Sequence, residues 1–226
     1  MHTQIERQSL EYTEFTGFEG DSKAVVSLNQ GGELCSLVFE KIQILADLQS
    51  SYYQDNAIKG LVYNKKFTCI HNAISSDFSS VILQYMHGVE SQCFPFKFNL
   101  ELNYTLNKNG INLSVKIVNE DEKPFPFTLG WYPYFNSEDL NSGSINFKSN
   151  TKYLFDPQQV ISGKTSLDVE MPFELKSSKL DDSYESETNE FESLALEDSF
   201  KITAPSKENF LKLIYQMNPM LLLMSE

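Results

Sequence analysis

Between Phe94 and Leu106 the chain alternates strictly. Phe94, Phe96, Phe98, Leu100, Leu102, Tyr104 and Leu106 are apolar, and Lys97, Asn99, Glu101, Asn103 and Thr105 stand between them. A period of two buries one face of a strand and leaves the other wet. Asn107-Lys108-Asn109-Gly110 follows, and these residue types accept the positive φ of a turn. Ile111, Leu113, Val115 and Ile117 then resume the alternation, so the pattern predicts one long antiparallel hairpin. Shorter strands are predicted at Ala24–Leu28, at Glu33–Phe39 with Ile42–Leu45, and at Phe67–Ile70 with Val81–Met86 around a Ser/Asp turn. Ile145–Phe147, Leu194–Leu196, Phe200–Thr203 and Leu211–Tyr215 complete the set. No amphipathic helix longer than a few turns is read from the chain. Many short strands with frequent turn signals predict an all-β protein, a large antiparallel two-sheet sandwich.

The length of 226 residues and an apolar content of 41% suit a single sandwich domain, 1–226, with a sizeable core. A net charge of −13 argues against nucleic acid and anionic membrane as partners, and leaves a neutral ligand open. Cys35, Cys69 and Cys93 are widely spaced, and His2, His71 and His87 form no ligand pattern, so neither a metal site nor a redox pair is read here. The first residues carry no apolar run for a signal sequence, and no segment has the ~18 apolar residues of a membrane span. A cytoplasmic protein is the expectation. Asp181–Asp198 is acidic without Lys or Arg, which reads as a solvated loop or exposed strand face; the calcium-loop order is absent.

The segment Gly130-Trp131-Tyr132-Pro133-Tyr134-Phe135 groups aromatics around a proline. Aromatic rings with a polar tip stack on one face and hydrogen-bond at the edge, as a site wall requires. This segment resembles the Gly-x-His-Pro-Tyr-Phe motif of the aldose 1-epimerase (mutarotase) family. Asn56-Ala57-Ile58-Lys59-Gly60-Leu61-Val62-Tyr63 is similar to the family's Asn-Ala-Leu/Ile-His-Gly-Leu-Val-Tyr. Phe94-Pro95-Phe96 with the long hairpin and Asn119, Val160-Ile161-Ser162-Gly163-Lys164, and Leu180-Asp181-Asp182-Ser183-Tyr184 also resemble family stretches, in the family order.

The resemblance implies a galactose mutarotase-like supersandwich that binds a monosaccharide (an aldose or a sugar phosphate) and needs no cofactor or metal. It implies an isomerase of carbohydrate metabolism that interconverts α and β anomers. In the family a glutamate takes the proton of the anomeric hydroxyl and a histidine protonates the ring oxygen. Here Lys59 and Tyr132 stand where the family carries its two active-site histidines. Unperturbed Lys and Tyr titrate near pKa ~10, against ~6.5 for His, so neither is poised for proton exchange at pH 7. A family Asn-Arg segment ahead of Asn56 has no counterpart, and Glu226 follows an apolar run as the candidate base.

Each candidate has a plainer reading beside the functional one. Lys59 is a ligand contact or a snorkelling surface lysine. Tyr132 is a wall residue or fills the space of a histidine. Asp181 accepts from sugar hydroxyls or belongs to an ordinary acidic loop, and Glu226 is the base or the end of a strand. Three readings of the whole follow: a weak or impaired aldose 1-epimerase, a non-catalytic monosaccharide-binding protein of the same fold, and a decaying, truncated gene product.

Overall fold

A computed structural model of the chain describes residues 2–7, 10–17, 20–45, 60–88, 94–108, 110–125, 127, 134–136, 144–147, 150–158, 161–166, 173–174, 181–185, 190–193, 200–203, 210–216 and 220–225. All regular structure among them is strand, and every pairing described below is antiparallel. The chain divides into two compact units, Met1–Phe127 and Thr128–Glu226.

In the first unit, β1 (His2–Arg7), β2 (Leu10–Thr16), β3 (Lys23–Ser27), β4 (Leu34–Phe39) and β5 (Ile42–Gln43) form a five-stranded sheet in sequence order. Strands β6 (Thr68–Ile74), β7 (Phe78–His87), β8 (Phe98–Asn107) and β9 (Gly110–Asn119) form a second meander. The predicted hairpin is β8–β9, paired from Phe98↔Asn119 to Asn107↔Gly110, and Gly110 holds φ 136° at its turn. The inward positions of β8 are those the alternation marks: Phe98, Leu100, Leu102, Tyr104 and Leu106 are buried, and the residues between them are half-buried. Phe94 and Phe96 precede the strand instead of joining it, because Pro95 between them has no N–H for the ladder.

Phe15, Ala24, Val26, Leu34 and Leu37 from the first sheet and Val81, Leu83, Ile111 and Leu113 from the second are buried with the β8 row. Burying one such side chain contributes ~1.5–3 kcal/mol. Two hydrogen bonds tie the sheets at defined points. The Ser79 hydroxyl donates to the Thr16 carbonyl at 2.6 Å, and the fully buried Tyr104 hydroxyl donates to the Gly32 carbonyl at 2.9 Å.

The second unit has a six-stranded sheet in the order β10 (Tyr134–Asn136), β19 (Met220–Ser225), β18 (Phe210–Gln216), β15 (Asp181–Glu185), β12 (Thr151–Phe155), β13 (Ile161–Ser166). A second ribbon runs β14 (Phe173–Glu174), β11 (Ser144–Phe147), β16 (Glu190–Ser193), β17 (Phe200–Thr203). The strands predicted at Ile145–Phe147, Phe200–Thr203 and Leu211–Tyr215 are β11, β17 and the body of β18. The one predicted at Leu194–Leu196 lies outside the described residues. The acidic segment is not a simple loop. Its first residues are β15, an interior strand flanked by β18 and β12, and Tyr184 within it is 2% exposed.

Candidate functional site

Lys59, Tyr132 and Glu226 lie outside the described residues. Asp181 is the first residue of β15. The described residues nearest the other three are Gly60, Tyr134 and Ser225.

In the second unit, the register of four neighbouring strands aligns one row of positions. Tyr134 in β10 is opposite Leu222 in β19, Leu222 is opposite Ile214 in β18, and Ile214 is opposite Asp181 in β15. Neighbouring strands are ~4.8 Å apart, so the row spans about 14 Å from Tyr134 to Asp181. Tyr134 is two residues after Tyr132 in the chain. Strand β19 runs from this row to Ser225, which pairs with Leu211, itself opposite Tyr184. The last residue of β19 therefore stands three positions along the sheet from the row, about 10 Å at the rise of a strand. Because β10 and β19 are antiparallel, the start of β10 and the end of β19 point to the same end of the sheet.

In the first unit, the residue after Lys59 is Gly60, exposed at the start of a turn over Leu61–Asn64. The Lys65 N–H donates to the Val62 carbonyl at 3.1 Å and closes that turn. The turn is docked on the Gly31-Gly32 corner between β3 and β4. The Gly31 N–H donates to the Lys65 carbonyl at 3.1 Å, and the Phe67 N–H donates to the Leu28 carbonyl at 2.6 Å. Phe67 is fully buried, and the Lys66 ammonium meets Glu11 at 2.6 Å. Gly31 has φ +66°, and a Cβ there would stand 2.7 Å from the Val62 carbonyl oxygen and 3.0 Å from Tyr63 backbone atoms. Only glycine combines that backbone conformation with so close an approach.

Sequence reading passed over one buried polar residue. His87 is 3% exposed, at the end of β7. Its Nδ1 is 2.9 Å from the Tyr85 hydroxyl and its Nε2 is 3.3 Å from the Phe94 carbonyl. A carbonyl only accepts, so Nε2–H donates to Phe94. The ring stacks on Phe98 with centroids 4.9 Å apart, and Phe94 leads on to Phe96 and Phe125. This histidine fastens the Phe94–Lys97 lead-in to the core and is built for packing. A signal was present: Tyr85 and His87 continue the odd-numbered inward register of Val81 and Leu83.

Among the described residues, no group of three or more His, Cys, Asp or Glu side chains is placed to hold a metal ion. No helix there is long and apolar enough to cross a membrane. Cys35 and Cys69 are half-buried thiols, and burial pushes the Cys69 thiol up from its ordinary value. The Asp121 carboxylate accepts from the Lys97 N–H at 3.2 Å, which holds its pKa below the usual range.

With this arrangement in hand, the chain was compared with known proteins. No curated protein sequence matches it. In structure it is similar to a galactose mutarotase-like protein from Clostridium acetobutylicum, with a TM-score of 0.82 at 14% identity, covering 100% of this chain and 87% of the other. A putative aldose 1-epimerase from Escherichia coli K12 gives a TM-score of 0.70 at 14% identity, covering 100% of this chain and 88% of the other. Galactose 1-epimerase from Lactobacillus acidophilus NCFM gives 0.60 at 12% identity, over 97% and 80% of the two chains. At such identities the likeness speaks for the fold, a galactose mutarotase-like β sandwich. The sequence itself matches the aldose 1-epimerase family model over residues 25–218, most of its length, and the chain therefore belongs to the aldose 1-epimerase family.

Proposed function

We propose that this protein binds an aldose monosaccharide and interconverts its anomers slowly, as an aldose 1-epimerase weakened at its proton-transfer positions. The observation that carries the reading is the family match taken with the row Tyr134–Leu222–Ile214–Asp181. The row joins Asp181 to the strand that begins at Tyr134, two residues after Tyr132 in the chain, and this supports the reading.

In this reading Asp181 accepts hydrogen bonds from sugar hydroxyls. Glu226 takes the proton from the anomeric hydroxyl, and the electron pair released on that oxygen forms the carbonyl as the C1–ring-oxygen bond breaks. Tyr132 donates a proton to the ring oxygen. Rotation about C1–C2 and the reverse transfers close the ring on the other face. The weak step is the donation. A general acid works best with a pKa near the operating pH, and Tyr and Lys begin about 3–4 units above the ordinary histidine value. A positioned acid or base contributes ~10²–10⁴-fold, which sets the expected loss.

Polarimetry of freshly dissolved α-galactose or α-glucose tests the reading. Equilibration faster than the buffer blank, abolished by Glu226→Gln, is the expected result; a rate equal to the blank overturns turnover. The replacement of both family histidines favours a second reading, binding without turnover. Calorimetric titration with the same sugars and their phosphates separates the two: heat without faster equilibration selects the binding protein, and absence of heat removes both.

A further inference from the structure

We propose that β6 is a docking edge for a second copy of this chain. The two β6 strands pair antiparallel about a twofold axis near His71, with Lys65 of each copy set against Asp77 of the other.

Strand β6 pairs with β7 and has no second neighbour among the described strands. Such an edge templates a further strand unless charges, proline or a bulge blunt it. From Phe67 to Ser76 there is no Asp, Glu, Lys, Arg or Pro. The one blunting device is the bulge between Cys69 and His71. Thr68, Ile70, His71, Asn72 and Ile74 are exposed, Ile70 at 46% and Ile74 at 55%.

Charge selects the occupant. The chain carries −13, so two copies repel over most of their surfaces, and an uncharged strand is where they can approach. The charges that flank the strand are opposite in sign. Lys65 lies six positions before His71 and Asp77 six positions after it. Asp77 is exposed and Lys65 half-buried, and neither is in an ion pair among the described residues. Lys66 is already committed to Glu11 at 2.6 Å. Antiparallel pairing centred on His71 brings Lys65 to Asp77 at both ends of the contact. Parallel pairing would set lysine on lysine and aspartate on aspartate. The edge therefore complements itself in one sense only, that of an isologous twofold dimer. A contact built on one seven-residue strand falls below the ~1,200 Å² of a standard interface, so the dimer is weak and concentration-dependent.

The experiment is sedimentation velocity of the full-length protein from roughly 1 μM to 1 mM, the range of weak complexes. It compares the parent with Lys65→Glu, Asp77→Lys, Lys65→Glu/Asp77→Lys and His71→Lys, each checked for folding by circular dichroism. The parent should dimerise within that range. Each single reversal should raise the dimer Kd about tenfold, because one substitution turns two symmetric attractions into repulsions. The double reversal restores opposite signs and should return the Kd to the parent value, a rescue that misfolding cannot produce. His71→Lys sets two ammonium groups together at the axis and should abolish the dimer. A parent that stays monomeric throughout overturns the proposal. So does a dimer whose Kd none of the substitutions moves, which places the interface elsewhere. A double reversal no better than either single also overturns it, since the Lys65–Asp77 contact would then be absent.

Discussion

Removing a single oxygen from the core of the first unit should have a measurable and bounded effect. Tyr104 is 1% exposed, and its hydroxyl donates to the Gly32 carbonyl at 2.9 Å. Tyr104→Phe keeps the ring, and with it nearly all the apolar burial, so the change isolates the hydrogen bond. A neutral hydrogen bond is worth ~0.5–1.5 kcal/mol net, and a buried acceptor left without its donor costs ~1–3 kcal/mol. The Gly32 carbonyl is in the second position, because Gly32 is itself buried under Leu102 and Phe67. The expected destabilisation is therefore about 1–3 kcal/mol. With a urea m-value of ~3 kcal/mol/M, at the upper end for small proteins, the midpoint should fall by about 0.3–1 M with m unchanged. Urea titration followed by tryptophan fluorescence and by circular dichroism checks this. A midpoint shift below about 0.1 M, equivalent to ~0.3 kcal/mol, would show that the contact between β8 and the Gly31-Gly32 corner does not contribute as argued.

Three further outcomes are expected. Asp121 has a depressed pKa because it accepts the Lys97 N–H, so its contribution is present above the unfolded value of ~3.9 and is lost as pH falls through the folded pKa; Asp121→Asn should flatten the acid limb of the urea midpoint between pH 5 and 3, those limits being approximate bounds around that value. Glu40 and Lys41 turn β4 into β5 with φ 48° and 70°, held by Ser22 and Asp21; Glu40→Asn with Lys41→Gly should relieve strain, for a net gain of ~0.5–1 kcal/mol after the entropy cost of glycine and a melting point higher by about 1–4 °C. Restoring histidine at Lys59 and Tyr132 together should raise the polarimetric rate ~10²–10⁴-fold, and no gain over the parent would remove proton donation as the weak step.

How much of this could be read from the chain depended on what each strand buries. Strand β8 was legible because its inward face is apolar at every position. Strand β2 was not, because the row of its buried Phe15 carries the polar Thr13, 6% exposed, and Glu11, while Tyr12 stands on the other face. Strands β12 and β13 are half-buried or exposed through most of their length, with Leu154 at 43% and Ile161 at 45%. Their ladder bonds form without any hydrophobic period. The turn at Glu40-Lys41 lacks the glycine or asparagine that announces positive φ. His87 escaped notice because a histidine was weighed as a ligand, although its place in the register of β7 pointed inward.

The row through Asp181 was illegible for a different reason. Tyr134, Asp181, Ile214 and Leu222 come from four separate stretches, and only strand pairing brings them into line. No local period encodes such a row. This has a consequence for how the family's chemistry can be lost. Asp181 pairs with Ile214 of β18, and its strand is flanked from Ser183 to Glu185 by β12 as well. Under the proposed function, substitution at residues 59 and 132 is expected to act on proton transfer. Ground-state binding and transition-state protonation are separable contributions, since only the second must strengthen as the ring oxygen gains charge. A chain that keeps the sandwich and the Asp181 row but replaces both histidines is therefore expected to lose rate before affinity, a loss seen in the polarimetric rate constant and not in the calorimetric affinity.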